Sequence, residues 1–342
     1  MPRTLPRSDA PPNVTIRDVA ARAGVSVATV SRVFNQKGPI REETVRRVME
    51  VAGELQYVPH AGARSLSTRS TRTIGVVLPD LHGEFFSEVI RGIDLAAREL
   101  GYHLLLSGSH ADRDEMRAVV QAVRGLVDGL IIMSPDLDPE ALCADLPLGI
   151  PAVLLNAKAE GRPSITIDNA AGARDMVRHL ASLGHGSIAF IGGPARNVDA
   201  EQRRRGFRAG VRIRDIRAAE YAGDFTEDSG YEAGKKILAS SPRPTAVFAA
   251  NDSMAIGALS AFRDAGVRVP QDLALVGFDD IPIARFLDPP LTTVKVPIAE
   301  LGRRGLQILI GGESEPARLT TSLVVRRSCG AQPNKDRKTR KE

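Results

Sequence analysis

Cysteine is scarce in this chain of 342 residues: Cys143 and Cys329 stand far apart, with no metal-ligand spacing around either. That excludes a disulfide framework and a zinc site, and it suits a reducing compartment. Long apolar runs are missing too, since none approaches the roughly 20 residues that span a bilayer. The opening MPRTLPRSDAPPN carries proline and charge where a secretory signal has an apolar stretch. A cytoplasmic protein with no membrane partner is therefore expected. Catalytic signatures are absent in the same way. GYEAGKKI has the wrong spacing for a phosphate-cradling loop, and GHGSIAFIGG lacks the third glycine and the preceding strand of a dinucleotide fingerprint. No HExxH, GxSxG or cysteine-nucleophile setting occurs. The expectation is a protein that is not an enzyme, with no catalytic residue, no metal and no cofactor.

Hydrophobic residues make up 43% and charged residues 25%, the proportions of a soluble globular protein, and the length allows two or three domains. Charge is unevenly divided. Residues 1–72 hold twelve basic and six acidic side chains, residues 73–330 hold 29 and 33, and residues 331–342 hold five and two. A basic head on a mildly acidic body points to a polyanion as the partner of the head.

Three short helical patterns make up that head. In TIRDVAARAG, Thr15 and Asp18 form a capping pair, Ile16, Val19, Ala20 and Ala23 recur at helical spacing, and Gly24 ends the run. Ser26 then caps VATVSRVFN, where Val30, Val33 and Phe34 point inward while Val27, Ala28, Ser31 and Arg32 face out. The third pattern, EETVRRVMEVAGELQY, is expected to bury Val45, Val48, Met49, Ala52 and Leu55. A helix, a short turn and a second helix with small exposed side chains is the arrangement that places the second helix in the major groove of DNA. Ser26, Thr29 and Ser31 can donate to phosphates, and Arg32 can reach guanine O6 and N7. Thr15 and Asn35 flank this face and join the candidate contacts. A mini-domain for protein contacts would instead show aromatic or large apolar anchors on that face.

The run TIRDVAARAGVSVATVSRVFNQ, followed by LQYVPHAGARSLSTRST, resembles the head and hinge of the LacI/GalR repressors. The resemblance implies that Val27, Ala28 and Arg32 read bases, and that residues 61–67 form a hinge helix only on DNA. Ala63 and Arg64 lie in that hinge, and Leu66 stands where the family places the wedge that enters the minor groove and kinks the duplex. His60 stands where the family commonly carries Asn. Independently of family, the small residues and Gly62 give AGARSLSTRST low intrinsic helicity, so its ordering would depend on DNA or on a partner hinge.

From Thr73 onward, apolar runs alternate with amphipathic helical stretches. TIGVVLP, YHLLLSG, GLIIMS, PAVLLN, SIAFIGG, AVFAAN and LALVGF read as parallel strands buried on both faces, separated by patterns such as SEVIRGIDLAAREL and AAGARDMVRHLASLG. The predicted fold is α/β: an N-terminal three-helix helix-turn-helix head and a doubly wound body of two subdomains that face each other across a cleft. Ligands of such sheets lie beyond the carboxyl ends of the strands. Polar and aromatic residues stand there: Asp80 with Phe85 and Phe86, Ser134, Asp168 with Asn169, Asn251 with Asp252, and Asp279 with Asp280. Asp168, Asn251 and Asp252 each open a helical pattern, so capping and ligand contact are both open to them. The resemblance implies a periplasmic-binding-protein-like body and makes Phe86, Asp168, Arg203, Phe225, Asn251 and Asp279 the effector-binding residues. Ser134 joins them by position. An arginine in the cleft also leaves sugar acids and phosphorylated sugars open as ligands.

The expected layout is a disordered arm at 1–13, the head at 14–59, hinge helix and linker at 60–72, the effector-binding and dimerisation body at 73–330, and a disordered basic tail at 331–342. The expected function is sequence-specific regulation of transcription, most simply repression, under control of a small, sugar-like molecule. The expected partners are double-stranded palindromic operator DNA, the effector and a second copy in a homodimer. The absence of apolar heptads after Arg327 argues against a tetramer built on a C-terminal bundle. The competing reading is a solute-binding or sugar-processing protein of the same α/β fold, which would have no use for the basic head.

Overall fold

The computed structural model describes residues 14–35, 38–57, 70–146, 149–312 and 316–330. The expected arm, the hinge with Ala63, Arg64 and Leu66, and the basic tail lie outside the described residues. The chain divides into two compact units, Met1–Thr71 and Arg72–Glu342.

The first unit holds α1 (Ile16–Ala23), α2 (Val27–Asn35) and α3 (Glu42–Glu54). At the start of α1 the Thr15 backbone N–H and hydroxyl donate to Asp18 Oδ2 at 2.8 and 2.7 Å, and these bonds hold the Asp18 carboxyl below its usual range. Gly24 ends α1 at φ +63°, a left-handed turn that glycine adopts without strain. Ser26 Oγ then accepts from the Thr29 backbone N–H at 3.1 Å and opens α2. Val19, Ala20, Ala23, Val30, Val33, Val48, Val51 and Ala52 form the core, with Phe34 edge-on to Tyr57 at 5.6 Å. The third helix departs from expectation: Val45 and Met49 are 36% and 51% exposed, and Val51 is buried instead. Both candidate stripes share Val48, Ala52 and Leu55. So small a core covers only a narrow strip of α3, and its flank at Val45 and Met49 stays in solvent.

The second unit is built on two six-stranded sheets. In the first, β1 (Thr73–Leu78) lies between β2 (His103–Gly108) and β3 (Gly129–Met133), followed outward by β4 (Ala152–Leu155), β5 (Ser164–Ile167) and β11 (Ala317–Leu319). Neighbouring strands of this sheet are parallel. Side chains alternate between two apolar layers. Ile74, Val76, Leu78, Ile131 and Met133 join the layer under α4 (Glu84–Glu99) and α11 (Ile298–Gly311), while Val77, Leu130 and Ile132 join Met116 and Val120 of α5 (Arg113–Ala122) and Leu142 of α6 (Pro139–Asp145). The expectation that YHLLLSG is buried on both faces fails. As β2 it is an edge strand, and Leu105 and Leu106 are 36% and 40% exposed.

The second sheet runs β12 (Ser322–Val324), β10 (Thr292–Lys295), β9 (Ala274–Asp279), β8 (Ala246–Ala249), β6 (Ser187–Ile191) and β7 (Arg217–Tyr221), parallel except where β12 meets β10. Around it lie α7 (Asn169–Ser182), α8 (Val198–Arg214), α9 (Glu227–Leu238) and α10 (Asp252–Asp264). The chain crosses between subdomains three times: after β5, on entering α11, and between β11 and β12. The return through α11 is tight, with Gly92 of α4 against the Ala299 carbonyl and Gly302 against the Val89 carbonyl, where any Cβ would collide with backbone.

Candidate functional site

On the head, α2 presents one exposed face. Val27 is 42% exposed, Ala28 and Arg32 are also exposed, and no apolar residue of the head core competes for these positions. The side chains around them are held. Ser26 and Thr29 hydroxyls lie 2.9 Å apart, and Asn35 Nδ2 donates to Ser31 Oγ at 3.2 Å. Small side chains near the helix start, backed by ordered hydroxyls, let the helix approach base edges closely. Thr15 sits at the N-terminus of α1 with its hydroxyl bonded to Asp18.

In the body, a cavity of about 580 Å³ opens where strands of both sheets end. Its wall takes Pro79, Asp80 and Glu84–Phe86 after β1, His110 after β2, Asp136 after β3, Asn197, Asp199 and Arg203 after β6, Asp224 and Phe225 after β7, Asn251 after β8, and Asp279 at the end of β9. Backbone strain gathers there. His110, Ala111, Phe225 and Asp279 all line the cavity and hold φ of +46°, +54°, +74° and +111°, a region that side-chain-bearing residues rarely occupy.

One helix supplies the electrostatic centre. Asn197 caps α8 by accepting from the Ala200 backbone N–H at 3.0 Å, and Asp199 and Arg203 follow one turn apart on the same face. Arg203 is 3% exposed. Its Nε donates to Asn169 Oδ1 at 2.9 Å and its Nη1 to the Ala250 carbonyl at 2.6 Å, while Nη2 lies 2.8 Å from Asp279 Oδ1. Its plane rests on the Phe278 ring at 4.0 Å. Asp199 accepts from Asn169 Nδ2 at 2.7 Å and from Asn156 Nδ2 at 2.8 Å. Burial pushes the Asp199 and Asp279 carboxyls up to about 6, against the pull of Arg203. Asp136 accepts from Asn197 Nδ2 at 3.0 Å and is also raised by burial.

Comparison with known proteins places this architecture. Residues 15–60 match the model for bacterial regulatory proteins of the lacI family, and residues 177–329 match a periplasmic binding protein-like domain. Catabolite control protein A of Priestia megaterium is 36% identical over 307 residues, covering 87% of this chain and 92% of its own length. The chain belongs to the LacI family of bacterial regulatory proteins. The ribose operon repressor of Escherichia coli (strain K12) is 35% identical over 309 residues, or 88% of this chain and 94% of that one. The lac repressor dimer bound to operator and the anti-inducer ONPF matches with a TM-score of 0.84 at 34% identity, covering 94% of this chain and 100% of that one. As a LacI-family member the chain is a DNA-binding regulator of transcription whose head joins a periplasmic-binding-protein-like body. Among the described residues, no helix is long and apolar enough to cross a membrane.

Within this LacI-family body the seven expected effector residues are placed unequally. Phe86, Arg203, Phe225, Asn251 and Asp279 line the cavity; Ser134 and Asp168 do not. Ser134 is buried behind the wall, and its hydroxyl has no hydrogen-bond partner. Asp168 caps α7 through the Ala171 backbone N–H at 3.2 Å and pairs with Arg318 at 2.6 Å. Asn251 does both jobs: Oδ1 caps α10 through the Met254 N–H, and Nδ2 donates to the Phe225 carbonyl, each at 2.9 Å. Asp252 is fully buried, does not line the cavity, and bonds Thr293 and the N–H of Ile281, a residue of the wall. Asp136, Asn197 and Asp199 escaped the sequence reading. The capping Asn197 followed by Asp199 and Arg203 at i, i+4 was the available signal.

Proposed function

We propose that this LacI-family chain is a repressor, that it grips a palindromic operator as a homodimer, and that a sugar or sugar derivative in the body's cleft sets the strength of that grip. The observation that carries the effector half is the cavity itself. It gathers carboxylates, amides and phenylalanine rings from the strand ends of both subdomains, and hydroxyl-rich ligands are held by such acceptors and ring faces. The naming of relatives after a ribose operon and the lac system supports a sugar as ligand. Phe86, Arg203, Phe225, Asn251 and Asp279 contact the ligand in this reading, and Ser134 and Asp168 support the wall from behind. Val27, Ala28 and Arg32 read bases, and Thr15, Ser26, Thr29, Ser31 and Asn35 position the head on phosphates. Ala63, Arg64 and Leu66 act at the centre of the operator.

A homodimer is supported by large apolar side chains left in solvent on the body: Leu95, Leu105 and Leu106 in one subdomain, Ile283 and Phe286 in the other. Ligand closure of the cleft would bias the subdomain that leads into residues 60–72, with a coupling on the order of 1–3 kcal/mol. The reading places the chain in the cytoplasm, acting by binding and without catalysis. Selection of bound duplexes from a random pool at physiological salt tests the DNA half. A palindromic consensus is expected, and recovery of no preferred sequence would leave only salt-sensitive, non-specific binding.

A further inference from the structure

The cleft is unevenly charged. Seven carboxylates line it, from Asp80 to Asp279, and Arg203 is the one arginine or lysine among the lining residues. That arginine is already committed. Each of its three nitrogens has a protein partner, in Asn169, the Ala250 carbonyl and Asp279, and the guanidinium plane is stacked on Phe278. A carboxylate or phosphate binds an arginine best in two-point fashion, and with Nε, Nη1 and Nη2 each turned to a protein acceptor, what is left of the five N–H groups suits a single hydroxyl contact better than a bound acid. The option of sugar acids and sugar phosphates, open from the sequence, is therefore disfavoured in a cleft where seven carboxylates face one largely engaged arginine.

The carboxylates are the opposite case. Asp199 is held by two neutral amides, with no salt-bridge partner among the described residues. Asp136 has the Asn197 amide as its hydrogen-bond donor. Asp279 also lines the wall, but its Oδ1 is shielded from the cavity and already lies beside Arg203 Nη2. Asp136, after β3, and Asp199, on α8, thus have spare capacity for a donor, and preferably for a charged one. Phe85, Phe86 and Phe225 also line the cavity, and aromatic ring faces attract cations and stack on the apolar side of a sugar. A low-dielectric cleft lined by one sign of charge concentrates ligands of the other sign.

We propose that the effector is a polyhydroxylated ligand carrying a protonated amine, an amino sugar or aminated polyol, whose ammonium group is received by Asp136 and Asp199. This rests on the reading of the cleft as a sugar site and narrows it. The raised proton affinity of Asp199 fits the same picture, because burial outweighs the pull of Arg203 and an incoming cation adds to that pull.

Titration calorimetry of the full chain with matched sugars tests it: glucose, galactose and ribose as neutral members, glucosamine and galactosamine as amines, glucuronate, galacturonate and ribose 5-phosphate as acids. The expected result is binding of an amine at least tenfold tighter than its neutral counterpart, with no heat from the acids. Asp199→Asn should lower that preference to less than threefold. Asp136→Asn, on the less buried part of the wall, is the second variant should the first fail to fold. A neutral or acidic member binding as tightly as the amine would overturn the proposal while leaving the sugar reading intact. Silence from every member would overturn both.

Discussion

Arg203 Nη2 lies 2.8 Å from Asp279 Oδ1, and both side chains are almost wholly withdrawn from solvent, at 3% and 6% exposure. The pair joins α8 to the end of β9 and closes the inner wall of the cleft. A buried pair of this kind is held by mutual compensation: removing one member strands the other's charge in a poorly solvating interior.

Arg203→Met should therefore destabilise the body by about 3–5 kcal/mol, because Asp279 and Asp199 lose the cation that offsets them. Urea unfolding of parent and variant measures this directly. A loss below about 1 kcal/mol would mean that the aspartates are already neutral in the folded protein.

The same aspartates give the stability a pH signature. Asp199 titrates near 6 in the folded chain and an unfolded aspartate near 3.9, so the folded state holds the proton more tightly. The stability this contributes is complete below about pH 4 and is lost as pH rises through about 6. Asp199→Asn lacks this loss, and its amide can also donate to Asn156 Oδ1, which has no partner. The variant should gain on the parent between pH 4 and 7, by at most on the order of 3 kcal/mol. A pH-independent difference between the two would contradict the assignment.

On the head, Arg32 projects from the exposed face of α2. Arg32→Ala should relax selection at one base pair per half-site, at about 1–3 kcal/mol, when bound duplexes are sequenced. A uniform weakening across all sequences would make Arg32 a phosphate contact.

Phe286 is 68% exposed and stands beside exposed Ile283, an apolar corner of the kind a partner surface covers. Phe286→Asp should leave thermal stability of the isolated chain unchanged and shift sedimentation from dimer to monomer at micromolar concentration. An unchanged dimer would move the interface away from this corner of the body.

Much of the architecture was legible because it is written locally. Thr15 with Asp18, Gly24 and Ser26 are short-range signals, and all three mark the helix ends they imply. The seven apolar runs became strands because burial on two faces leaves little room for polar residues, as in GLIIM of β3. What escaped was set by position in the sheet or by distant partners. RAAEY of β7 is an exposed edge strand with no apolar alternation to reveal it, and YHLLLSG carried a buried strand's composition to an edge. In α3, two stripes shared most of their residues, and only packing chose between them. The cleft's centre was half visible. Arg203 and Asp279 were read from their blocks, whereas Asp199 sat in a charged helix whose Arg204 and Arg205 do face outward to Glu201 and Glu220. Its role depends on Asn156 and Asn169, which lie 43 and 30 residues away, and no local pattern encodes that.

The central claim is that occupancy of the cleft changes the grip of the head on DNA. The direct measurement is fluorescence anisotropy of a selected operator duplex with the full chain, titrated with the tightest-binding sugar, for the parent and for Phe86→Ala. Phe86 lines the cleft and lies outside the Arg203 network. The account predicts a severalfold ligand-dependent change in operator affinity for the parent, and for the variant the same affinity without ligand but at least tenfold more ligand needed for the response. An operator affinity that ignores the ligand, or a variant that responds at the parent's concentration, would contradict it.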